Sequence, residues 1–248
     1  MSQVDWNIEH LVHVDSTNTW LAQRAREGAA EGLAVYCDFQ SAGRGRLERE
    51  WRAPAGTSLL CSALLNAPRS PLAPQWIVVA AALAVCDALE TLSGVRPALK
   101  WPNDVLYGDR KVAGLLAEVV AVPGTTRIVI GLGINLTDVD PDFDTATTVQ
   151  IATGVALAPA EVFENYLGAL DRRRTPLNAP GGARRVGEDY ARDLVTLGQR
   201  VRVDLLDGPV RGRAVGIDED GALRVDTGIE ERVFTAGDVV HLRGDDSE

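Results

Sequence analysis

The chain has little of what several common chemistries depend on. Its three cysteines, Cys37, Cys61 and Cys86, are odd in number, far apart and set in apolar runs. That pattern argues against a disulfide framework or a metal cluster and predicts buried free thiols. Three histidines, His10, His13 and His241, leave little material for a zinc centre or a Ser-His-Asp triad. No apolar run approaches the roughly 20 residues needed to span a bilayer. The N-terminal stretch MSQVDWNIEHLVHVD has neither the basic n-region nor the apolar h-region of a secretion signal. The expectation is a cytoplasmic protein with no membrane partner.

Basic charge is scarce as well. With 35 acidic and 25 basic residues the net charge is −10, which argues against a nucleic-acid partner, because phosphate contacts need a basic surface. Lysine is scarcest of all: only Lys100 and Lys111 interrupt an otherwise all-arginine basic set. Arginine presents a planar fork, lysine a compact ammonium on a slim stem. Base composition accounts for the arginines. It does not account for both lysines lying in one motif-dense segment.

What is present is ordinary globular material, 46% hydrophobic and 24% charged over 248 residues, enough for one large domain and a small one. Strands are predicted at Ile8 to Val14, Leu33 to Phe39, Ser58 to Leu65, Lys111 to Val120 and Arg127 to Leu136. Helices are predicted at Thr17 to Glu27, stopped by Gly28, and from Pro74 through Leu92. Turns at Gly108-Asp109 and Pro123-Gly124 join hairpin-like units, so the sheet should be mixed and largely antiparallel, in an α+β fold. Two further helices follow near Ala160 to Arg173 and Ala183 to Leu194; the first ends in Arg172-Arg173-Arg174, read as a solvated helix end or else a phosphate site. From about Thr196 short strands and turns predict a small five-stranded SH3-like barrel, among them Arg200 to Leu206, Val210 to Asp218, Leu223 to Asp226 and Glu231 to Phe234. The expected domains are residues 1–195 and 196–248. From Val195 onward 12 acidic residues face 7 basic ones, so the small unit is not a nucleic-acid reader.

Four constellations could carry chemistry. Gln40-Ser41-Ala42-Gly43-Arg44-Gly45-Arg46, continuing to Trp51, offers mobile backbone and two guanidinium forks, suited to an anion or simply to a solvated turn. It lacks the third glycine of a dinucleotide fingerprint, and no "GK" exists for a Walker loop. Lys100-Trp101-Pro102-Asn103-Asp104, followed by Lys111-Val112-Ala113-Gly114, is either a triphosphate and magnesium site or a hairpin with an ion pair. Gly131-Leu132-Gly133-Ile134-Asn135 ends a strand where glycines permit a close approach. Asp15-Ser16-Thr17-Asn18 is a helix cap, or a set of hydroxyls and an amide facing a polar head group.

In this order, DSTN, QSAGRGR with a following tryptophan, KWPND, K-x-A-G and GLGIN, the segments resemble the biotin–protein ligase family across residues 15 to 135. The resemblance implies a seven-stranded mixed sheet flanked by helices, shared with lipoate ligases. It also implies an enzyme that uses ATP and Mg2+ as co-substrate and activator, biotin as substrate and no tightly bound cofactor. The implied partner is the biotin carboxyl carrier protein domain of a carboxylase, met as a monomer or weak homodimer. Transferred by motif, Ser16, Thr17, Asn18, Gln40, Gly43, Arg44, Gly45, Arg46, Lys111, Gly114 and Gly131 would bind biotin. Arg44, Arg46, Trp51, Lys100, Asn103, Asp104, Lys111 and Asn135 would bind the nucleotide. Lys111 and Arg46 would be catalytic, and Asp104 a magnesium ligand.

There are two departures. Glu48 stands where the family has glycine, which stiffens the loop and adds negative charge beside phosphate. The DSTN motif begins at residue 15, leaving no room ahead of it for a winged-helix domain; this implies the monofunctional class. Two rival readings remain: a lipoate or octanoate ligase or transferase of the same fold, and a non-catalytic biotin sensor.

Overall fold

The structure is a computed structural model that describes residues 4–67, 74–138, 145–205 and 208–242. The elements in chain order are β1 (Asn7–Val14), α1 (Thr17–Arg26), β2 (Leu33–Gln40), β3 (Ser58–Asn66), α2 (Gln75–Ser93), β4 (Ala98–Lys100), β5 (Asp104–Tyr107), β6 (Arg110–Val122), β7 (Thr125–Asn135), α3 (Val149–Thr153), α4 (Pro159–Arg174), α5 (Gly182–Asp193), β8 (Arg200–Asp204), β9 (Val210–Ile217), β10 (Leu223–Asp226), β11 (Glu231–Phe234) and β12 (Asp238–His241). The first seven strands form one sheet in the order β1-β2-β3-β7-β6-β5-β4. Only β1 and β2 pair in parallel, across the α1 crossover; the other pairs are antiparallel, as expected.

The sheet's two faces differ, and the difference makes the site. Leu59, Cys61, Ala63 and Leu65 of β3 and Ile128, Ile130, Leu132 and Ile134 of β7 join the large core with α2 and α4. The alternate residues point the other way, because side chains alternate along a strand. There Leu64, Val120 and Val129 are covered by Leu21, Ala22 and Ala25 of α1. The same rows continue as Ser62 and Gly131, under the polar first turn of α1, and then as Leu60, Gly133 and Gly114, in register across three strands. Half of this face is thus packed by a helix, and the other half is floored by small residues.

α2 corrects one expectation. By length and apolarity its 19 residues could cross a membrane, yet about two thirds of that stretch is buried within the fold. Its apolarity serves the core, and the helix stops at Gly94 with φ 75°. The triple arginine is corrected too. Arg172 is exposed, but Arg174 is 1% exposed and ion-pairs with Asp171 (2.8 Å) and Glu31 (3.0 Å). Arg173 reaches Asp87 and Asp189. Glu31 and Asp87, both distant in sequence, turn this helix end inward. The three cysteines are free and buried, and burial pushes each thiol pKa up, that of Cys37 to about 12.

The C-terminal strands form a five-stranded antiparallel sheet, β11-β10-β9-β8-β12. It is open, not the closed barrel expected from the strand spacing. Closure requires tilt and stagger accumulated along the strands, and β10, β11 and β12 have four residues each. The two edge strands are consecutive in sequence yet lie at opposite ends of the sheet. Leu206, the expected end of the first strand of this unit, lies outside the described residues.

Candidate active site

A cleft of about 670 Å3 opens over the small-residue half of the sheet. It brings together almost every residue singled out by motif: Ser16, Thr17, Asn18, Gln40, Arg44, Gly45, Arg46, Trp51, Lys100, Asn103, Asp104, Lys111, Gly114, Gly131 and Asn135 all line it. Gly43 does not. It is buried beside the cleft, where a Cβ would stand 2.4 Å from the Trp51 carbonyl oxygen, and its own carbonyl accepts the Trp51 N–H at 2.9 Å. Gly43 therefore closes the base of the arginine loop.

One end of the cleft is a neutral hydrogen-bonding pocket. The parallel pairing of β1 and β2 brings both strand ends to the same rim, so Thr17 meets Gln40. The Thr17 N–H donates to Gln40 Oε1 at 2.7 Å, and Thr17 Oγ1 lies 3.1 Å from the same oxygen. Ser16 occupies the N-cap position of α1, as the capping reading expects, although its side chain makes no cap bond. Asn18 donates to Glu118 Oε2 (2.8 Å) and the Leu116 carbonyl (3.2 Å), and its Oδ1 lies 2.7 Å from Ser62 Oγ. That amide rests directly on Gly131, where a Cβ would be 2.2 Å from Asn18 Oδ1.

The other end is cationic. Lys111 Nζ stands 2.6 Å from Asp104 Oδ1 and 5.5 Å from the centre of the Trp51 ring. Residues 145–147 grip its backbone: Lys111 N donates to Thr145 O, and Thr147 N to Lys111 O, both at 2.8 Å. The same segment receives Asn135 Nδ2 on Thr147 O at 3.2 Å. Trp51 lies flat on the cross-strand pair Gly114–Gly133; a Cβ on Gly133 would be 2.4 Å from Trp51 Cε2. In this structure the approach that the glycines permit is made by Asn18 and Trp51.

Arg46 bridges the loop to both sheets. Its Nη1 donates to Asn103 Oδ1 and to the Gly237 carbonyl, each at 3.2 Å. Burial lowers its pKa from the usual arginine range, against the opposing pull of Asp238 and Asp104. Arg49 pairs with Asp238, and Arg44 with Glu118 at 2.9 Å. Lys100 has no ion pair among the described residues. The Glu48 backbone forms part of a 3-10 turn, Arg46–Glu48; its side chain lies outside what the structure describes.

Sequence reasoning missed several residues. Ser62 and Glu118 carried a signal: each is a polar residue in an apolar strand, on the sheet face that holds the cleft, although neither lines the cleft itself. Arg202, Asp204, Asp238, Val239 and Val240, which wall the cleft from the C-terminal sheet, carried none. Asp104 is the carboxylate paired with Lys111; Glu50, Asp138, Asp204 and Asp238 also line the cleft. Among the described residues no cluster of three or more His, Cys, Asp or Glu suits a metal ion.

A glycine-floored pocket of neutral hydrogen-bonding groups opening into a cationic cleft is suited to a small polar molecule beside an anion. Residues 11–135 match the Biotin/lipoate A/B protein ligase family, and residues 196–242 match the Biotin protein ligase C terminal domain. The chain belongs to this family. It is 37% identical to a biotin--[acetyl-CoA-carboxylase] ligase of Mycobacterium tuberculosis, over 95% of this chain and 89% of that one. With the corresponding ligase of Paracoccus denitrificans it shares 34% identity, over 92% and 98%. Biotin protein ligase from Aquifex aeolicus, solved in complex with biotin and ATP, superposes with a TM-score of 0.82 at 28% identity, covering 96% of this chain and 99% of that one.

Proposed function

We propose that the chain activates biotin with ATP as biotinyl-5′-AMP and transfers the acyl group to a lysine of a biotin carboxyl carrier protein domain. The observation that carries this reading is the pairing, in one cleft, of a neutral hydrogen-bonding pocket with Lys111, Lys100, Arg44 and Arg46. A ureido ring needs donors and acceptors without charge; a carboxylate meeting a triphosphate needs cations.

In the first step a biotin carboxylate oxygen bonds to the α-phosphorus and pyrophosphate leaves. In the second the carrier's lysine amine bonds to the acyl carbon, AMP leaves and the amine loses a proton. Both steps concentrate negative charge on oxygens near the phosphate, where fixed cations stabilise the transition state more than the ground state. Lys111, gripped by residues 145–147, is the best-fixed of them. Its present partner is Asp104, so an incoming carboxylate or phosphate takes the place of that carboxylate. Thr17, Asn18 and Gln40 would hold the ureido end, Trp51 and Asn135 the nucleotide. The loop from Gly43 to Trp51, tied to the C-terminal sheet through Arg46 and Arg49, would keep water from the mixed anhydride.

Asp104 would be the residue to hold a magnesium ion brought with ATP, which would supply positive charge beside the phosphates; one protein carboxylate would suffice for an ion that retained most of its water. The division into residues 1–195 and 196–248 is supported by the two separate family matches. We place the reaction in the cytoplasm, with the chain acting as a monomer or weak homodimer. The test is acid-dependent exchange of pyrophosphate into ATP with biotin or lipoate. Exchange with biotin alone is expected. Exchange with lipoate alone would replace the substrate, and exchange with neither, in protein that still binds biotin, would point to a sensor.

A further inference from the structure

Glu118 stands behind the wall of the cleft and does not line it, yet it joins the two segments that do. Its Oε2 accepts from Asn18 Nδ2 at 2.8 Å and from Arg44 Nη2 at 2.9 Å. Asn18 belongs to the rim of the neutral pocket, and Arg44 to the arginine loop. The segments also meet where Thr17 bonds Gln40 and where the Ala42 N–H donates to the Asp15 carbonyl at 2.8 Å, but these contacts hold the base of the loop, whereas Glu118 ties the Arg44 side chain itself to Asn18 through one atom.

The surroundings leave the Asn18 amide no other orientation. Its Nδ2 is shared by two acceptors, Glu118 and the Leu116 carbonyl, and its Oδ1 by Ser62. Asn18 is 4% exposed and rests on Gly131. Arg44, by contrast, is exposed, and Glu118 is its ion-pair partner. Residue 118 also sits in a row whose neighbours on that face are Leu116 and Val120, so an aliphatic side chain would continue the packing. A carboxylate contributes nothing to that packing. It accepts from an amide and a guanidinium at once, and its charge strengthens the second bond.

We propose that Glu118 is a positioning residue that couples docking of the glycine-arginine loop to the floor of the biotin pocket. One carboxylate sets the Asn18 amide and anchors Arg44, so the loop docks over a pocket whose floor is already arranged. This inference rests on the functional reading above, with biotin in the neutral pocket and the adenylate under the loop.

The test compares wild type, Glu118→Gln, Glu118→Ala, Arg44→Ala and the Glu118→Ala/Arg44→Ala double variant. Three quantities are read: biotin KM and kcat in pyrophosphate exchange, the release rate of preformed biotinyl-5′-AMP, and thermal melting. Losing a charge-assisted hydrogen bond at each end should raise biotin KM about tenfold and speed adenylate release about tenfold in Glu118→Ala, with kcat within about twofold. Glu118→Gln, which keeps an acceptor without the charge, should fall between, and should serve if the alanine variant does not fold. The double variant should release adenylate no faster than Arg44→Ala, because both changes break the same link. Wild-type KM and release in Glu118→Ala would overturn the inference, as would independent, multiplying effects of the two substitutions. So would a drop in melting temperature with unchanged KM and release. A wild type with no biotin-dependent exchange would overturn the functional reading and this inference with it; an active wild type beside an unaltered Glu118→Ala overturns the inference alone.

Discussion

Gly131→Ala adds a single methyl group and should disable half of the cleft. The new Cβ would lie 2.2 Å from Asn18 Oδ1 and 2.8 Å from its Cγ. Ordinary carbon contacts begin near about 3.5 Å, so the amide has to retreat by roughly 1 Å. Backbone strain is not the cause, because Gly131 is not among the glycines with positive φ. Retreat strips a buried amide of its bonds to Ser62, Glu118 and Leu116. At about 1 kcal/mol for each of the three net hydrogen bonds, with about 1–3 kcal/mol for overpacking, the loss is roughly 4–6 kcal/mol, shared between folding and biotin binding. If about half falls on binding, biotin KM rises about thirtyfold or more, while the melting temperature drops by about 2–4 °C for each kcal/mol charged to folding. ATP KM should stay within about twofold of wild type, because the change is confined to the neutral end. Gly133→Ala supplies the contrast. Two residues along the same strand, its Cβ would sit 2.4 Å from Trp51 Cε2 and should raise ATP KM more than biotin KM. Pyrophosphate exchange with each substrate varied in turn, alongside melting curves, measures all four constants. Unchanged biotin KM and melting in Gly131→Ala would refute the reasoning, and so would the same KM pattern in both variants.

Lys111→Ala should abolish adenylate formation with the melting temperature little changed, and Lys111→Arg should not restore it, since the lysine stem already lies within 3.0–3.1 Å of the space above Gly114; single-turnover adenylate formation checks both. Arg46→Gly should cut the tie to Asn103 and Gly237 and speed loss of the adenylate from the cleft, read as free biotinyl-5′-AMP after gel filtration. Arg174→Ala should leave the Asp171 carboxylate buried without its ion-pair partner, costing about 3–5 kcal/mol. That loss is visible in urea or thermal unfolding, with the substrate KM values unaffected. Burial, helped by Lys100, lowers the His241 pKa below its ordinary 6.5. The unfolded chain therefore binds this proton more readily. Its contribution to stability is full above pH 6.5 and is lost as pH falls toward the lowered value. Melting at about pH 7.5 and about pH 5.5 should show a smaller drop in His241→Gln than in wild type.

The strands and long helices were readable because each is bounded by local chemistry: Gly28 and Gly94 stop α1 and α2, and Gly108-Asp109 and Pro123-Gly124 turn the chain between strands. The five-residue α3 is too short for periodicity to reveal, although Thr148, whose hydroxyl accepts the Ile151 N–H, and Gly154 at φ 78° mark its two ends. The motif residues of the cleft stood out because types rare in this chain, lysine above all, were concentrated there. What could not be read depends on distance in sequence. The inward turn of Arg174 needs Glu31, the seat of Arg46 needs Gly237, and the openness of the C-terminal sheet depends on which of its short strands meet. Ser62 and Glu118 lie between these cases, since their polarity was visible against apolar neighbours and their partners were not.

The two faces of β7 give the Gly-Leu-Gly-Ile-Asn run a meaning that no list of contacts conveys. Gly131 and Gly133 belong to one parity of the strand and Ile130, Leu132 and Ile134 to the other. Shifting the strand by one residue would exchange them, sending bulky side chains into the cleft and glycines into the core. The alternation therefore acts as a reading frame for the sheet. Substitutions that keep each parity's size class leave both the cleft and the core intact, whereas a single-residue insertion or deletion between Ile128 and Asn135 would damage both at once. A residue inserted at the turn at Pro123-Gly124, at the far end of the strand, would leave the frame between Ile128 and Asn135 unchanged.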